Sequence, residues 1–405
     1  GMAVDGSAPA CASGLRAGES GEAPDAVRVH VEAVLRVMGA SPTSASVQEG
    51  GCKVLRRLAA QGAESCARIA SMDGIELLVR AAEEHPVAEA LQLAVCLALE
   101  SLAVHGFGCQ VAQLGGVGSV AGAMARFSAS PSLQEAGCRA LRVVATCSSE
   151  CQARVATFGT EAVLQAMACH LEVPGLQESA CQALRDLAMH SAFNQARIAS
   201  LSGIERVLDA MKTHLLVVSV QEAGCGVLRN MAACNAEHQG KIISLCGAHA
   251  VLRAMSAHRS AAKMQWAGCW ALFCLAVHNG DTRRLILELG AVKEVLHAME
   301  KHLAVADVQE AGCWALKELV KLDTTVKLTG LARSGMTAVL RAMNEHPRAT
   351  RVQTACRGAL RGLASQGACS NTAPMRSRCG PPAAHESEGR RRTIASMQPL
   401  PTLWE

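Results

Sequence analysis

The sequence predicts an all-α fold, a solenoid of about eight three-helix repeats. A motif read as VQEAGCWALKELV at residues 308–320 recurs with variation along the chain. Half of the residues are apolar and only 2 % are aromatic, which suits closely packed helices. The glutamine at the second motif position recurs at intervals of 44, 42, 43, 44, 44, 44 and 44 residues, at Gln48, Gln92, Gln134, Gln177, Gln221, Gln265, Gln309 and Gln353. A fixed period of this length is typical of a solenoid.

Each repeat is predicted to hold a short first helix, a second helix and a third helix, and residues 191–233 show this most clearly. Residues 194–201 form the first helix. Residues 203–214 form the second, with apolar residues at i, i+3, i+4 and i+7 on one face. A glycine turn separates the two, and a left-handed helix end explains the use of glycine there. The motif itself forms the third helix.

Glycines also recur inside the third helix, at Gly51, Gly137, Gly224, Gly268 and Gly312. Glycine costs about 1 kcal/mol relative to alanine in a helix interior. We therefore expect a neighbouring helix to approach closely at these positions, where a side chain would block it.

The array is predicted to cover residues 25–364, with a first unit that has only its last two helices. Residues 1–24 are rich in Gly, Ala, Ser and Pro and are predicted to be a disordered lead-in, and residues 365–405 a mostly disordered tail. No apolar run looks long enough for a membrane span. The net charge of +4 is too small to indicate nucleic acid binding. We expect neither a membrane nor a nucleic acid as partner.

Seven of the 19 cysteines share one position on the apolar face of successive third helices, namely Cys52, Cys96, Cys138, Cys181, Cys225, Cys269 and Cys313. Packed helices lie about 8–10 Å apart, whereas a disulfide needs Cα atoms within roughly 7 Å. These cysteines are therefore predicted to be buried free thiols. A reducing compartment follows, the cytoplasm or alternatively the nucleus.

Two repeat positions hold histidine or cysteine in several units, and each could have a structural role or bind a proton or metal ion. The histidines that end the second helices suit the negative end of the helix dipole, with a pH or metal role as the alternative: His85, His170, His214, His258, His302 and His346. Residues of types that bind zinc follow the third helices, at His105, Cys147, His190, Cys234 and His278. A zinc ion needs four ligands at about 2.0–2.3 Å, and neighbouring repeats would have difficulty placing four side chains that close together. No GxSxG, GxxxxGK[ST] or HExxH motif occurs. We predict no cofactor, no metal and no enzymatic activity.

The three-helix unit, the glycine turn and the VQEAxxWALxxLA pattern resemble the armadillo repeat over residues 25–364. The cysteine-rich GCxAL variant looks most like the armadillo regions of leucine-rich-repeat kinases and of protist armadillo arrays. HEAT repeats are the alternative, and the glycine turn with the short first helix favours armadillo. The resemblance implies a right-handed solenoid that acts as a protein-interaction scaffold, binding a peptide or protein in the concave groove of its third helices. We expect a monomer.

In the armadillo family a Trp, and an Asn four residues later, contact the bound peptide. Only Trp270, Trp314 and Asn230 match these positions, and never in the same repeat. The residue after the repeat glutamine is acidic in five units, and the eighth residue after it is basic in six. The groove is thus expected to have an acidic and a basic edge. A preference of acids for helix N-termini and of bases for C-termini is the alternative.

The strongest candidate site combines three aromatic residues of one third helix with one aromatic residue of the next. The predicted partner-binding residues are Trp266, Trp270, Phe273, Trp314, Asn230, Arg229, Lys317 and Arg185. Large aromatic residues beside arginine are typical of binding hot spots. The alternative is that the next repeat or the tail shields these rings. Two other functions stay open: a detached armadillo segment of a larger enzyme such as a kinase or ubiquitin ligase, and a spacer without a groove ligand.

Overall fold

The computed structural model describes residues 24–321 and 329–368, which form eight successive helical units without a β-strand. Unit one has two helices, α1 (Pro24–Ala40) and α2 (Ala45–Ala59). Units two to four contain α3 (Ala63–Ser71), α4 (Gly74–Glu84), α5 (Glu89–Leu102), α6 (Gly108–Gln113), α7 (Gly116–Arg126), α8 (Pro131–Ala145), α9 (Ser149–Phe158), α10 (Thr160–Cys169) and α11 (Pro174–Ala188).

Units five to seven repeat this pattern with α12 (Ala192–Ser200), α13 (Gly203–Thr213), α14 (Val218–Ala232), α15 (Ala236–Ser244), α16 (Gly247–Ala257), α17 (Ala262–Ala276), α18 (Gly280–Glu288), α19 (Ala291–Lys301) and α20 (Ala306–Leu319). Unit eight ends the described array with α21 (Thr329–Glu345) and α22 (Thr350–Ala368). The predicted all-α solenoid of about eight repeats is confirmed. The predicted lead-in and tail lie outside the described residues, apart from Pro24 and residues 365–368.

Successive third helices pack directly on one another from α2 to α22 and form one continuous layer. Their apolar face supplies the core, and Leu184, Leu228 and Leu272 are fully buried. Burying a leucine side chain stabilises a fold by about 1.5–3 kcal/mol. Each unit thus adds its stabilisation mainly through its two neighbours, as expected for a linear array.

The repeat glutamine closes the C-terminal end of the second helix. In unit five the Gln221 Nε2 donates to the carbonyl oxygens of Met211, at 2.8 Å, and His214, at 2.9 Å. The other seven glutamines bond in the same way to the second helix of their own unit. The last carbonyls of a helix have no partner within it, so the buried amide satisfies two of them. This is the physical reason for the invariant glutamine in this chain.

The glycines inside the third helices make room for methionine from the second helix of the same unit. A Cβ atom added at Gly224 would lie 2.6 Å from Met211 Cγ, and one added at Gly312 would lie 2.5 Å from Met299 Cγ. Gly51, Gly137 and Gly268 meet methionine in the same way. The expected close approach of a neighbouring helix is confirmed.

The glycine between the first and second helices has a different reason from the one expected. The left-handed residue is the one before it: Ser202 has φ 59° and Cys246 has φ 61°. Gly203 is the first residue of α13, and an added Cβ atom would lie 2.8 Å from the carbonyl oxygen of Ile198. Close packing on the first helix, not a left-handed conformation, therefore excludes a side chain there.

The histidines that end the second helices connect neighbouring units. His214 Nε2 lies 2.6 Å from the Leu171 carbonyl oxygen in the preceding unit, and His258 Nε2 lies 2.7 Å from that of Leu215. His85, His170, His302 and His346 make the corresponding contacts. Because a carbonyl only accepts, the ring Nε2 carries the proton and donates. These histidines thus link each unit to the preceding one by a hydrogen bond.

The seven predicted core cysteines are buried and free. Burial raises the pKa of the Cys181 and Cys269 thiols to about 12, because a thiolate would lose its hydration in the core. Two core sulfurs do meet, Cys313 and Cys356 at 3.3 Å, because Cys356 precedes the corresponding position of unit eight by one residue.

The 42-residue interval after Gln92 produces an irregular junction. A π-helical turn, Ala103–Phe107, joins α5 to α6, and Gly106 has φ 96°. By length and composition the stretch Glu89–Gln113 could cross a membrane, although half of its most apolar part is buried in the array. The stretch is longer than the apolar run read from the sequence because the helical run continues beyond Val104, and Glu100 still interrupts it.

Candidate protein-binding site

Three aromatic side chains, those of Trp270, Phe273 and Trp314, form a half-buried cluster on the third helices of units six and seven, and a fourth, Trp266, lies one turn before Trp270. Phe273 joins the two helices: its ring centroid lies 5.4 Å from that of Trp270 in an edge-to-face arrangement and 6.0 Å from that of Trp314. Trp266 lies on the same helix as Trp270, and all four side chains also pack against the core. The rings are only partly covered by the array, so both predicted roles, core packing and surface exposure, are found in the same residues.

A cation lies on each side of this aromatic cluster. The Arg229 guanidinium carbon is 5.3 Å from the Trp266 ring centroid, and Lys317 Nζ is 4.4 Å from that of Trp314. Such cation–π contacts stabilise by about 0.5–1 kcal/mol at exposed sites. Among the residues that the structure describes, no carboxylate lies within 4.0 Å of Arg229 or Lys317. Both cations therefore retain capacity for an acidic ligand.

Two glycines leave room for basic side chains to lie against the surface of the third helices. They occupy the position where the resemblance expects tryptophan. A Cβ atom at Gly226 would lie 2.7 Å from Arg185 Cδ, and one at Gly358 would lie 3.3 Å from Lys317 Cδ. The missing tryptophans of units five and eight thus leave space for the basic side chain of the preceding unit.

Asn230, a predicted contact with a partner, makes two hydrogen bonds within the protein. Its side chain is buried, its Nδ2 donates to the Arg185 carbonyl oxygen at 2.8 Å, and its Oδ1 accepts from Arg229 Nε at 3.1 Å. Both ends of the amide are therefore used within the protein. Asn230 thus positions Arg229, and each end of its amide keeps the capacity for one more hydrogen bond.

Arg185 belongs to the basic column but is neutralised inside the protein. Its Nη2 lies 2.8 Å from the Asp186 carboxylate, which also lies 3.9 Å from Arg142 Nη1. Asp186 occupies the family's asparagine position and was not predicted as a functional residue. Its place on the same helical face as Arg185 is a signal that sequence reasoning could have used.

Some glutamates of the predicted acidic edge are already paired with arginines of the protein. Glu135 bonds Arg139 one turn further along α8 at 2.7 Å, and Arg139 also reaches Glu100 of the preceding unit at 2.9 Å. In unit seven, burial raises the pKa of Glu310, while Arg351 and a hydrogen bond from the Trp314 side chain oppose that rise. The two predicted edges are thus a mixture of paired and unpaired charges.

The histidine and cysteine column after the third helices has a backbone role in three units. His190, Cys234 and His278 adopt left-handed φ values of 56°, 56° and 59° where the chain leaves the third helix. Within residues 24–321 and 329–368, no group of three or more His, Cys, Asp or Glu residues is arranged to hold a metal ion.

Comparison with protein families gives one match, between residues 194–376 and the model described as the LRRK2 ARM repeat. No curated protein sequence matches the chain. The armadillo fold is typically non-catalytic and serves in general as a scaffold for protein interactions.

Several solved structures resemble the chain. An engineered protein has a TM-score of 0.53 and 18 % identity, over 61 % of this chain and 96 % of its own. A chain from a study of the interaction between cadherin and beta-catenin has a TM-score of 0.47 and 15 % identity, over 85 % and 75 %. A designed armadillo repeat protein in complex with the peptide (KR)4 has a TM-score of 0.47 and 16 % identity, over 57 % and 93 %.

The repeated glutamine frame, the three-helix unit seen in the structure and the match over residues 194–376 agree with one another. Residues 194–376 are similar to the LRRK2 armadillo repeat, and the described residues form an α-solenoid of the same three-helix units.

Proposed function

We propose that this chain is a non-enzymatic scaffold that binds an extended segment of a partner protein across α14, α17 and α20. The observation that carries the proposal is the half-buried aromatic cluster with an unpaired cation on each side. Apolar side chains of the partner would cover the rings of Trp270 and Trp314. Acidic side chains would approach Arg229 and Lys317.

The spacing of the helices suggests the pattern of the partner segment. Neighbouring packed helices lie about 10 Å apart, so Arg229 on α14 and Lys317 on α20 are separated by about two such spacings. An extended chain covers roughly 3.3–3.6 Å per residue. The segment should therefore carry two acidic residues about six positions apart, with apolar residues between them.

Selection from a library of linear peptides tests this proposal. The intact chain should enrich peptides with the acidic–apolar–acidic pattern, whereas a variant with both R229E and K317E should lose them and favour basic residues at the same positions. A variant with W270A and W314A should enrich no common pattern. Phe193→Ala is the matched aromatic control, because Phe193 is 68 % exposed on α12 and lies outside the cluster.

The result would contradict the proposal if wild type and the tryptophan variant selected the same peptides while both kept their helical circular dichroism. Loss of helicity in the tryptophan variant alone would assign the rings to the core, and the charge variant would then decide the question.

An alternative is that this array is the armadillo segment of a larger enzyme such as a kinase or ubiquitin ligase. The match of residues 194–376 to a model of LRRK2 armadillo repeats favours this alternative. A catalytic domain in the complete gene product would establish it. We also propose a cytoplasmic location, which suits the many free thiols of the described residues, and a monomeric chain.

A further inference from the structure

A second group of reactive side chains lies at the junction of units three and four, away from the aromatic cluster. Cys109 on α6 and Cys151 on α9 have their sulfur atoms 3.6 Å apart. Cys147 lies beside them: a Cβ atom added at Gly108 would collide with its sulfur, and burial together with the neighbouring thiols raises the Cys147 pKa. Three thiols thus meet where the first helices of two units pack together.

The regular units place different side chains at this junction. The position of Cys151 in units five and six holds Asn194 and His238, which bond the Leu187 and Met231 carbonyl oxygens at the end of the third helix, at 2.9 and 3.2 Å. Cys151 contacts Cys109 instead. The cysteine pair therefore occupies a position that elsewhere has a structural hydrogen bond.

Accessibility distinguishes this pair from the other cysteine contact. Cys109 is half-buried and Cys151 is 3 % exposed, so Cys109 is the more accessible residue of the pair. Cys313 and Cys356 are as close, at 3.3 Å, but both are fully buried in the core. Thiol reactivity depends on access as well as on thiolate character, so the two pairs should differ strongly in reactivity.

We propose that Cys109 and Cys151 form a reversible disulfide that links units three and four when a small-molecule disulfide, such as oxidised glutathione, becomes abundant. The Cys109 thiolate attacks one sulfur of the small disulfide and releases one thiolate. The Cys151 thiolate then attacks the Cys109 sulfur of this mixed disulfide and releases the second. The two protein protons end on the two released thiols, so the protein pair is oxidised and the small disulfide reduced.

Formation of the bond requires only a short movement. A disulfide has an S–S distance of about 2.05 Å, so the two sulfurs must approach by about 1.5 Å, within reach of side-chain rotation and a small shift of α6. The link would covalently join two units that are otherwise held by packing between neighbours. The oxidised chain should therefore melt at a higher temperature than the reduced chain.

The test uses the intact chain, equilibrated with mixtures of reduced and oxidised glutathione, alkylated and mapped by peptide mass spectrometry. A cross-linked peptide pair containing Cys109 and Cys151 should accumulate and disappear on reduction. Its rate of formation should exceed that of a Cys313–Cys356 link by about tenfold or more, because access limits the buried pair. C109S and C151S should abolish the link and the rise in melting temperature.

Cys147→Ser is the matched control, since it removes the third thiol of the junction and should leave the Cys109–Cys151 link intact. Circular dichroism of each reduced variant checks folding. Three outcomes would overturn the proposal: both thiols stay reduced, Cys109 stops at a mixed disulfide with glutathione, or Cys147 replaces either partner in the disulfide found.

Discussion

The third helices of units three and four and those of units six and seven use the same repeat positions with opposite results. In α8 and α11 the charged side chains pair with one another: Arg139 contacts Glu100 and Glu135, and Arg185 contacts Asp186. Around α17 and α20 the neighbouring positions are aromatic, and Lys317 lies on the Trp314 ring. A basic residue of this column therefore stays open to an external acidic group only where no carboxylate of the protein already neutralises it.

The comparison also explains where binding energy is available. Exposed ion pairs stabilise by about 0–1 kcal/mol, and a ligand must displace such a pair before it can use the arginine. A half-buried aromatic surface offers apolar area without that competition. The aromatic region should thus dominate binding, although both regions share one backbone scaffold.

The largest expected effect separates the two regions by affinity. Trp314→Ala should weaken binding of a selected acidic–apolar peptide by at least about thirtyfold, since loss of a hot-spot tryptophan costs 2 kcal/mol or more. Arg139→Ala in the paired region should change affinity by less than about twofold. Isothermal titration calorimetry measures both. Equal losses in the two variants would show that the ligand crosses the whole third-helix face.

The next largest effect is a loss of stability that should be equal in the two regions, because both contain the repeat glutamine that bonds the end of the second helix. Gln134→Ala and Gln265→Ala each remove the side-chain donor of two carbonyl oxygens, of which those of Phe127 and His258 keep a backbone N–H donor. Each should lower the free energy of unfolding by about 1–3 kcal/mol. Urea denaturation, with hydrogen exchange to locate the loss, provides the measurement. A large cost in one region and none in the other would contradict a uniform scaffold.

The smallest expected effect concerns two glutamates at equivalent positions. Burial raises the pKa of Glu310, so the native state binds this proton more tightly than the unfolded chain does. Its contribution to stability is therefore present at low pH and is lost as pH rises through the raised pKa. Glu310→Gln should flatten this part of the pH–stability curve and raise stability slightly at neutral pH.

Glu135→Gln is the control for that measurement, because Glu135 is paired with Arg139 and the substitution removes the ion pair. It should be neutral or slightly destabilising at neutral pH. Urea melts from acidic to neutral pH distinguish the two variants. A Glu310→Gln variant that loses stability at neutral pH would show that Arg351 and Trp314 outweigh the burial of the carboxylate.

Much of the site was predictable from the repeat, and the exceptions have identifiable causes. Trp266, Trp270 and Phe273 lie on one face because they are four and three residues apart, and Trp314 occupies the repeat position of Trp270 in the next unit. The structure brings the rings of Trp270, Phe273 and Trp314 together. Asn230 was assigned to a partner because the family uses asparagine there. Its bonds join it to a backbone carbonyl 45 residues away, that of Arg185, and to the side chain of its neighbour Arg229. Spacing along the chain does not reveal which of these bonds an amide makes.

The sequence by itself determined the all-α class, the length of the unit, the apolar face of each helix and the burial of the cysteine column. These follow from periodicity, which is a local property of the chain. Only the tertiary structure decided that Asp186 also lies near Arg142 of the preceding unit, that glycine at 226 and 358 gives space to a basic neighbour, and that Cys109 meets Cys151. Such contacts join different units, so they depend on how far one helix stands from the next, a distance that the repeat pattern does not contain.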